Sequence, residues 1–191
     1  MSASIDLPVV VFSSDRLIAR GALGAVLADI QAAAGAAAAP LVFDLATGRV
    51  VDLDLRGTLA EATARLIPAP GAEKRGPGRP KLGVTAREVT LLPRHWDWLA
   101  AQPGGASVAL RKLVEGALRE AEGPDRARKA KEAAYRFMTA MAGDSPGYEE
   151  ATRMLFAGDW TAFDAAVESW PEGVRETARG MAAGAWRNEA G

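Results

Sequence analysis

The sequence contains no cysteine and only one histidine among 191 residues. Without cysteine there is no disulfide, no thiolate zinc site and no cysteine nucleophile. The single histidine, His95, stands beside Trp96 near a predicted helix start, where a surface or partly packed side chain is expected. No phosphate-binding loop, serine-nucleophile motif or zinc-protease motif occurs. We therefore predict a non-enzymatic protein with no catalytic residue, no cofactor and no metal ion.

Long hydrophobic runs are also lacking. None approaches the roughly 18 residues of a membrane-spanning helix, and the N-terminus lacks the basic start and long apolar core of a secretory signal. These features predict a cytoplasmic protein without a membrane partner. What is present is a globular composition, with 49% hydrophobic and 25% charged residues.

Positive charge is concentrated in one stretch. Residues 74–112 contain eight basic and two acidic residues, a net charge of +6 in a chain whose net charge is −1, so the remainder carries −7. A basic segment of this kind is typical of polyanion binding. We predict four parts: a small α/β domain at 1–70, a basic Pro/Gly-rich arm or linker at 71–83, a strand–helix–helix unit at 84–122 and a helical domain at 123–191.

These parts predict a mostly helical α+β fold. The expected elements of the first domain are strands at 8–12, 41–45 and 50–55 and helices at 22–34 and 58–66, giving a three-stranded sheet with helices on one face. The aspartates Asp44, Asp52 and Asp54 are expected on its solvent side rather than at a metal site. From residue 125 onward, helices are predicted around a core that includes Phe137 and Phe163.

The central unit begins with a predicted strand at 85–92, where Val89 and Leu91 alternate with polar residues. Pro93 ends the strand and starts a helix that carries Trp96, Leu99 and Ala100 on one face. Gly104 and Gly105 form a turn, and Ser107 is predicted to cap a second helix that runs to about residue 120.

This pattern resembles the ribbon-helix-helix DNA-binding fold. The resemblance implies a homodimer in which two copies of the 85–92 strand pair and enter the major groove of double-stranded DNA. It places Thr90 and Glu88 in the groove, with Arg87 as a basic neighbour, and the amides at Ser107 on a phosphate. Glu88 departs from expectation, because phosphates repel a carboxylate. The alternative is a plain helical hairpin preceded by an edge strand.

The preceding residues 76–81, with the sequence Gly-Pro-Gly-Arg-Pro-Lys, resemble an AT-hook. The resemblance implies that Arg79 enters an A·T minor groove while Lys74, Arg75 and Lys81 contact phosphates. Pro77 stands where the AT-hook pattern has arginine. The alternative is an interdomain linker, which has the same composition.

Longer stretches resemble a whole family. Three stretches look like bacterial domain-of-unknown-function family 2239, and the likeness runs from about Phe12 to Asp159. In chain order they are LVFDLATGRVVDLDLRG, EVTLLPRHWDWLAAQPGG and AYRFMTAMAGDSPGYEEATRMLFAGD. This resemblance implies no known activity, substrate or cofactor.

Two functions remain open. The first is a regulatory DNA-binding protein that uses Lys74, Arg75, Arg79, Lys81, Arg87, Thr90 and Ser107. The second is a protein-interaction or adaptor protein in which the basic arm is a linker.

Overall fold

The computed structural model describes residues 4–35, 39–67 and 87–186. In these ranges the chain forms a three-stranded antiparallel sheet and seven α-helices, so the predicted mostly helical α+β class is confirmed. The strands are β1 (Pro8–Ser13), β2 (Arg16–Ala22) and β3 (Leu41–Asp44). The helices are α1 (Leu23–Ala33), α2 (Leu59–Leu66), α3 (Pro93–Ala100), α4 (Gly105–Ala142), α5 (Tyr148–Ala157), α6 (Trp160–Ala166) and α7 (Glu172–Ala182).

Strand β1 is the centre of the sheet, with β2 on one side and β3 on the other. Its residues Val9, Val10, Val11 and Phe12 are all fully buried. A strand with an uninterrupted apolar sequence is expected where both faces of a sheet are covered. Val9 and Val11 pack with α1 and α2, whereas Val10 and Phe12 pack with the C-terminal helices. The prediction of helices on only one face was therefore wrong.

The predicted hairpin strand at 50–55 was also wrong. Among the described residues, that segment pairs with β3 only through one isolated bridge, Phe43 with Val50. The third strand is instead β2, which pairs with β1 from Pro8↔Ala22 to Ser13↔Arg16. The 50–55 segment thus lies beside the outer edge of β3 only at its first residues, where the amide of Val51 donates to the carbonyl of Val42 at 2.7 Å. Its Val51, Leu53 and Leu55 still pack against the core under α1 and α2.

The aspartates of this region have structural roles. Asp44 stabilises the turn after β3, accepting hydrogen bonds from the amide of Ala46 at 2.8 Å and the hydroxyl of Thr47 at 2.6 Å. Asp54 accepts two hydrogen bonds from the Arg56 guanidinium, each 2.8 Å long. The side-chain hydrogen bond from Arg56 holds the pKa of the Asp54 carboxyl well below its usual range.

Two parts of the chain that are distant in sequence share one core. Phe12 and Phe43 of the sheet meet Phe137 of α4, with ring centroids 5.6 Å and 5.0 Å from that of Phe137. Residues 4–67 and 123–186 form one compact unit, which we call the first unit. Residues 87–122 belong to another, the second unit. A core thus crosses the boundary that the sequence analysis drew between 1–70 and 123–191.

Helix α4 is continuous where the sequence predicted two helices. One helix was predicted to end near residue 120 and the next to begin near residue 125. The helix instead includes Pro124. Beyond it, Arg128 pairs with Asp125 at 3.2 Å and with Glu132 at 3.0 Å. These pairs and the buried Phe137 stabilise the turns that follow the proline.

The boundary between α5 and α6 lies at a glycine that is followed by an aspartate. Gly158 ends α5 at a φ of 81°, and the Asp159 side chain accepts the amide of Ala162 at 2.9 Å to cap α6. Phe163 and Trp170 are buried, as expected of core residues. Within the described residues, no helix has both the length and the hydrophobicity to cross a membrane.

Candidate nucleic-acid interface

The predicted DNA-binding residues fall into two groups. Lys74, Arg75, Arg79 and Lys81, the basic residues of the AT-hook-like arm, lie outside the described residues. The others, Arg87, Thr90 and Ser107, are described and exposed. No hydrogen bond or ion pair joins the side chains of these three to other described residues, so their polar groups are accessible to a ligand.

The segment 87–92 precedes α3 and was predicted to be a strand. In the structure it has no regular secondary structure, so for these residues the strand prediction is wrong for the single chain. Val89 is 52% exposed and Leu92 is 50% exposed. The physical reason is that a strand needs a neighbour to complete its backbone hydrogen bonds, and no described strand lies beside this one. The backbone at Leu92 is nevertheless extended, with φ −67° and ψ 151°.

Helix α3 begins at Pro93, as the sequence predicted. Proline suits the first helical position because the N–H that it lacks would have no partner there. The carbonyl of Leu92 accepts the amide of His95 at 2.8 Å and closes the first turn. Of the predicted apolar face, only Leu99 is buried, whereas Trp96 is 40% exposed. Helix α3 therefore buries only part of its apolar surface against the rest of the chain.

The turn between α3 and α4 depends on two glycines. Gly104 and Gly105 have φ values of 88° and 73°, which residues with a side chain rarely adopt. Helix α4 consequently begins at Gly105, two residues before Ser107. The prediction that Ser107 is the N-cap is thus wrong, and Ser107 lies in the first turn. Its amide is still among the first-turn N–H groups that have no partner within a helix.

The second unit leaves most of its apolar side chains exposed. Within residues 87–122 only Leu99 and Ala109 are buried hydrophobic residues. The exposed large apolar side chains are Val89, Leu92, Trp96, Trp98, Leu113, Val114 and Leu118. Large exposed apolar patches on soluble proteins usually mark interaction surfaces. The second unit therefore presents both basic and apolar groups to a ligand or partner.

Trp98 was not singled out by the sequence analysis. It lies off the helical stripe formed by Trp96, Leu99 and Ala100, and it is 52% exposed. The available signal was its position, because a tryptophan outside the apolar stripe of a short amphipathic helix is expected to face solvent.

Two further features of the described residues concern metal binding and a surface depression. No group of three or more His, Asp or Glu side chains is placed there to hold a metal ion. An open depression of about 600 Å³ lies in the first unit. It is lined by Asp15, Arg16, Leu17, Glu172, Gly173 and Glu176. Its lining carries three carboxylates, Asp15, Glu172 and Glu176, beside the guanidinium of Arg16.

Comparison with known proteins gives one match. A family model described as "Uncharacterized protein conserved in bacteria (DUF2239)" matches residues 8–182. This range extends beyond the stretch from Phe12 to Asp159 on which the sequence analysis based the same resemblance. No curated protein and no solved structure matches the chain.

Proposed function

This chain belongs to the uncharacterised bacterial family DUF2239, and we propose that it is a cytoplasmic, non-catalytic protein that binds double-stranded DNA. In this proposal the arm residues Lys74, Arg75, Arg79 and Lys81 contact the minor groove and phosphates. Arg87, Thr90 and the amides at Ser107 contact the DNA from the second unit.

The observation that carries the proposal is the concentration of charge. Residues 74–112 have a net charge of +6 within a chain of −1. A segment with this charge attracts a polyanion while the rest of the molecule repels it, which restricts binding to one surface. Most of the energy would come from phosphate contacts, and base contacts from Thr90 and its neighbours would add sequence preference.

The proposal includes a homodimer that pairs through residues 85–92. Support comes from the segment 87–92, which is extended at Leu92 and has no partner strand among the described residues. A second copy of the same segment would supply the missing backbone partners. It would also cover apolar side chains such as Val89 and Leu92, which are half exposed in the single chain.

The test is fluorescence anisotropy of the full chain on labelled random-sequence and A·T-rich duplexes over a salt series. We expect the logarithm of affinity to fall linearly with the logarithm of salt concentration, with a slope of about −0.9 for each phosphate contact. Arg79→Ala should weaken binding and make the slope shallower by roughly 1. Arg153→Ala is the matched control, because Arg153 is an exposed arginine of the first unit that pairs only with Glu150. Absence of binding at low salt would refute the proposal.

The exposed apolar surface favours a second candidate, a protein-interaction or adaptor protein. Leu113, Val114 and Leu118 of α4 are each more than half exposed, and phosphate contacts would not cover them. In that case the basic arm is a linker. A chain that binds no DNA at low salt, yet sediments as a complex with a protein partner through these residues, would favour this candidate.

A further inference from the structure

The five tryptophans differ sharply in their surroundings. Trp170 is 3% exposed, and its indole N–H donates to a backbone carbonyl at 2.9 Å. Trp160 and Trp186 pack together, with ring centroids 4.7 Å apart. Trp98 is 52% exposed, and its indole makes no hydrogen bond or ring contact with a described residue. Exposure of so large an apolar side chain is unfavourable in water, so a ligand that covers Trp98 would gain binding energy.

Trp98 lies next to positive charge. Arg94 precedes it by four residues on α3, and side chains at this spacing share one face of a helix. Arg94 is exposed and forms no ion pair with a described residue. The buried side of the helix is the one that carries Leu99. On this face of α3 an exposed guanidinium and an exposed indole lie one helical turn apart, and neither side chain pairs with another described residue.

We propose that Trp98 stacks on an unpaired nucleobase and that Arg94 contacts the adjoining phosphate. The inference rests on the proposed function and narrows its ligand to DNA that contains unpaired bases. Every base offers a flat π face, so stacking on an aromatic side chain needs no particular sequence. A fully paired duplex keeps these faces inside its own stack. Among the described residues 87–112, four basic side chains (Arg87, Arg94, Arg111 and Lys112) outnumber two acidic ones (Glu88 and Asp97), and this net charge of +2 favours a polyanion over an apolar protein surface as the occupant.

The experiment compares two ligands on the full chain. Anisotropy measures the affinity for a labelled oligodeoxythymidine and for a labelled blunt duplex of the same length. Trp98→Ala should weaken oligodeoxythymidine binding roughly tenfold and change duplex binding by less than about twofold. Trp98→Phe should retain binding within about twofold of the unmodified chain, because it keeps an aromatic face. Quenching of tryptophan fluorescence by the oligomer should decrease in both variants.

Phe156→Ala is the matched control. Phe156 is 50% exposed, close to the 52% of Trp98, but it lies in the first unit, outside the basic segment. Its removal should alter neither affinity. Far-UV circular dichroism of each variant shows whether the helices remain formed.

The outcomes separate this inference from the proposed function. If Trp98→Ala loses affinity for the oligodeoxythymidine alone, the result supports stacking. If Trp98→Ala loses affinity equally for both ligands, the stacking role is overturned. It is also overturned if the unmodified chain binds the duplex and not the oligomer. In both cases the proposal of duplex binding stands. No binding to either ligand overturns both proposals. If Trp98→Ala instead abolishes self-association and leaves oligomer binding unchanged, Trp98 contacts a second copy of the chain and the inference is wrong.

Discussion

The two units differ in how much of their apolar surface they bury. The first unit buries the whole apolar run of β1 by covering both faces of its sheet, and Phe12, Phe43 and Phe137 meet at its centre. The second unit has a comparable supply of apolar side chains but buries only Leu99 and Ala109 among its described residues. Apolar surface left in water contributes nothing to folding. The comparison indicates that the first unit is stabilised by its own core, whereas the described part of the second unit buries little apolar surface of its own.

Ion pairs follow the same division. The first unit holds the connected pairs of α4, where Glu132 lies between Arg128 and Arg136, and those of α7, where Arg179 meets Asp164 and Glu168. No ion pair joins two described residues of 87–122. Among the described residues of the second unit, charged side chains thus form no ion pairs with one another, and most of the large apolar side chains are exposed.

The largest expected contrast is in the effect on stability of truncating a large apolar side chain in each unit. Phe137→Ala should lower the free energy of unfolding by about 3–5 kcal/mol, because it leaves a cavity beside Phe12 and Phe43. Leu118→Ala, at a side chain that is 64% exposed, should change it by about 0.5 kcal/mol or less. Urea unfolding followed by circular dichroism at low protein concentration measures both values. A Leu118→Ala effect that grows with protein concentration would instead show that a second copy covers this residue.

Replacing a glycine by alanine should lower the stability of the first unit and raise that of the second. Gly48 has a φ of 65°, and an added Cβ would overlap the backbone of Ala133. Gly48→Ala should therefore destabilise the first unit by more than the roughly 1–2 kcal/mol of a left-handed residue alone. Gly116 lies in α4 with nothing within 4 Å of an added Cβ, so Gly116→Ala should stabilise its helix by up to about 1 kcal/mol. Thermal unfolding of the two variants tests this prediction. A shift of the unfolding midpoint in the same direction for both would contradict it.

The smallest effect is expected from pH. Hydrogen bonds from the side chains of Arg128 and then Arg136 lower the pKa of Glu132 below its ordinary value of 4.5. A carboxyl whose pKa is lower in the folded state stabilises the fold above the unfolded pKa, and this contribution is lost as pH falls through the folded pKa. Glu132→Gln should therefore be slightly less stable than the unmodified chain at neutral pH and equally stable in acid. Glu115→Gln in the second unit is the control, and a pH-dependent difference of the same size there would contradict the contrast.

Local patterns predicted the local elements. The apolar run at β1, the stripe of Leu23, Val26, Leu27 and Ile30 in α1 and the glycine before Asp159 each indicated their structure, because their causes lie within a few neighbouring residues. Strand β2 was missed because it is stabilised by pairing with β1 rather than by an alternating pattern of its own. The prediction of separate helices before residue 120 and after residue 125 was wrong, because the ion pairs of Arg128 and the packing of Phe137 stabilise a helix that continues through Pro124.

The candidate interface was predictable only in part. The charge of residues 74–112 can be read from the sequence, and so can the α3–α4 hairpin with its two glycines. The position of Trp98 outside the apolar stripe indicated that it faces solvent. The exposure of Leu118 could not be deduced, because periodicity shows which side chains share a face and not whether anything covers that face. The start of α4 before Ser107 depends on the positive φ of Gly104 and Gly105, a property of the backbone rather than of the serine.

The shared core also has a consequence for how the chain is made. The rings of Phe43 and Phe137 are 5.0 Å apart in space but are separated by 94 positions in the sequence, from 43 to 137. A ribosome releases the sheet long before it releases the helices that cover its second face. Val10, Phe12 and Phe43 therefore stay uncovered during synthesis of the whole second unit, when nascent chains are most prone to aggregate. Closing so long a loop also slows folding. The protein is thus expected to reach its native state only after α7 has left the ribosome.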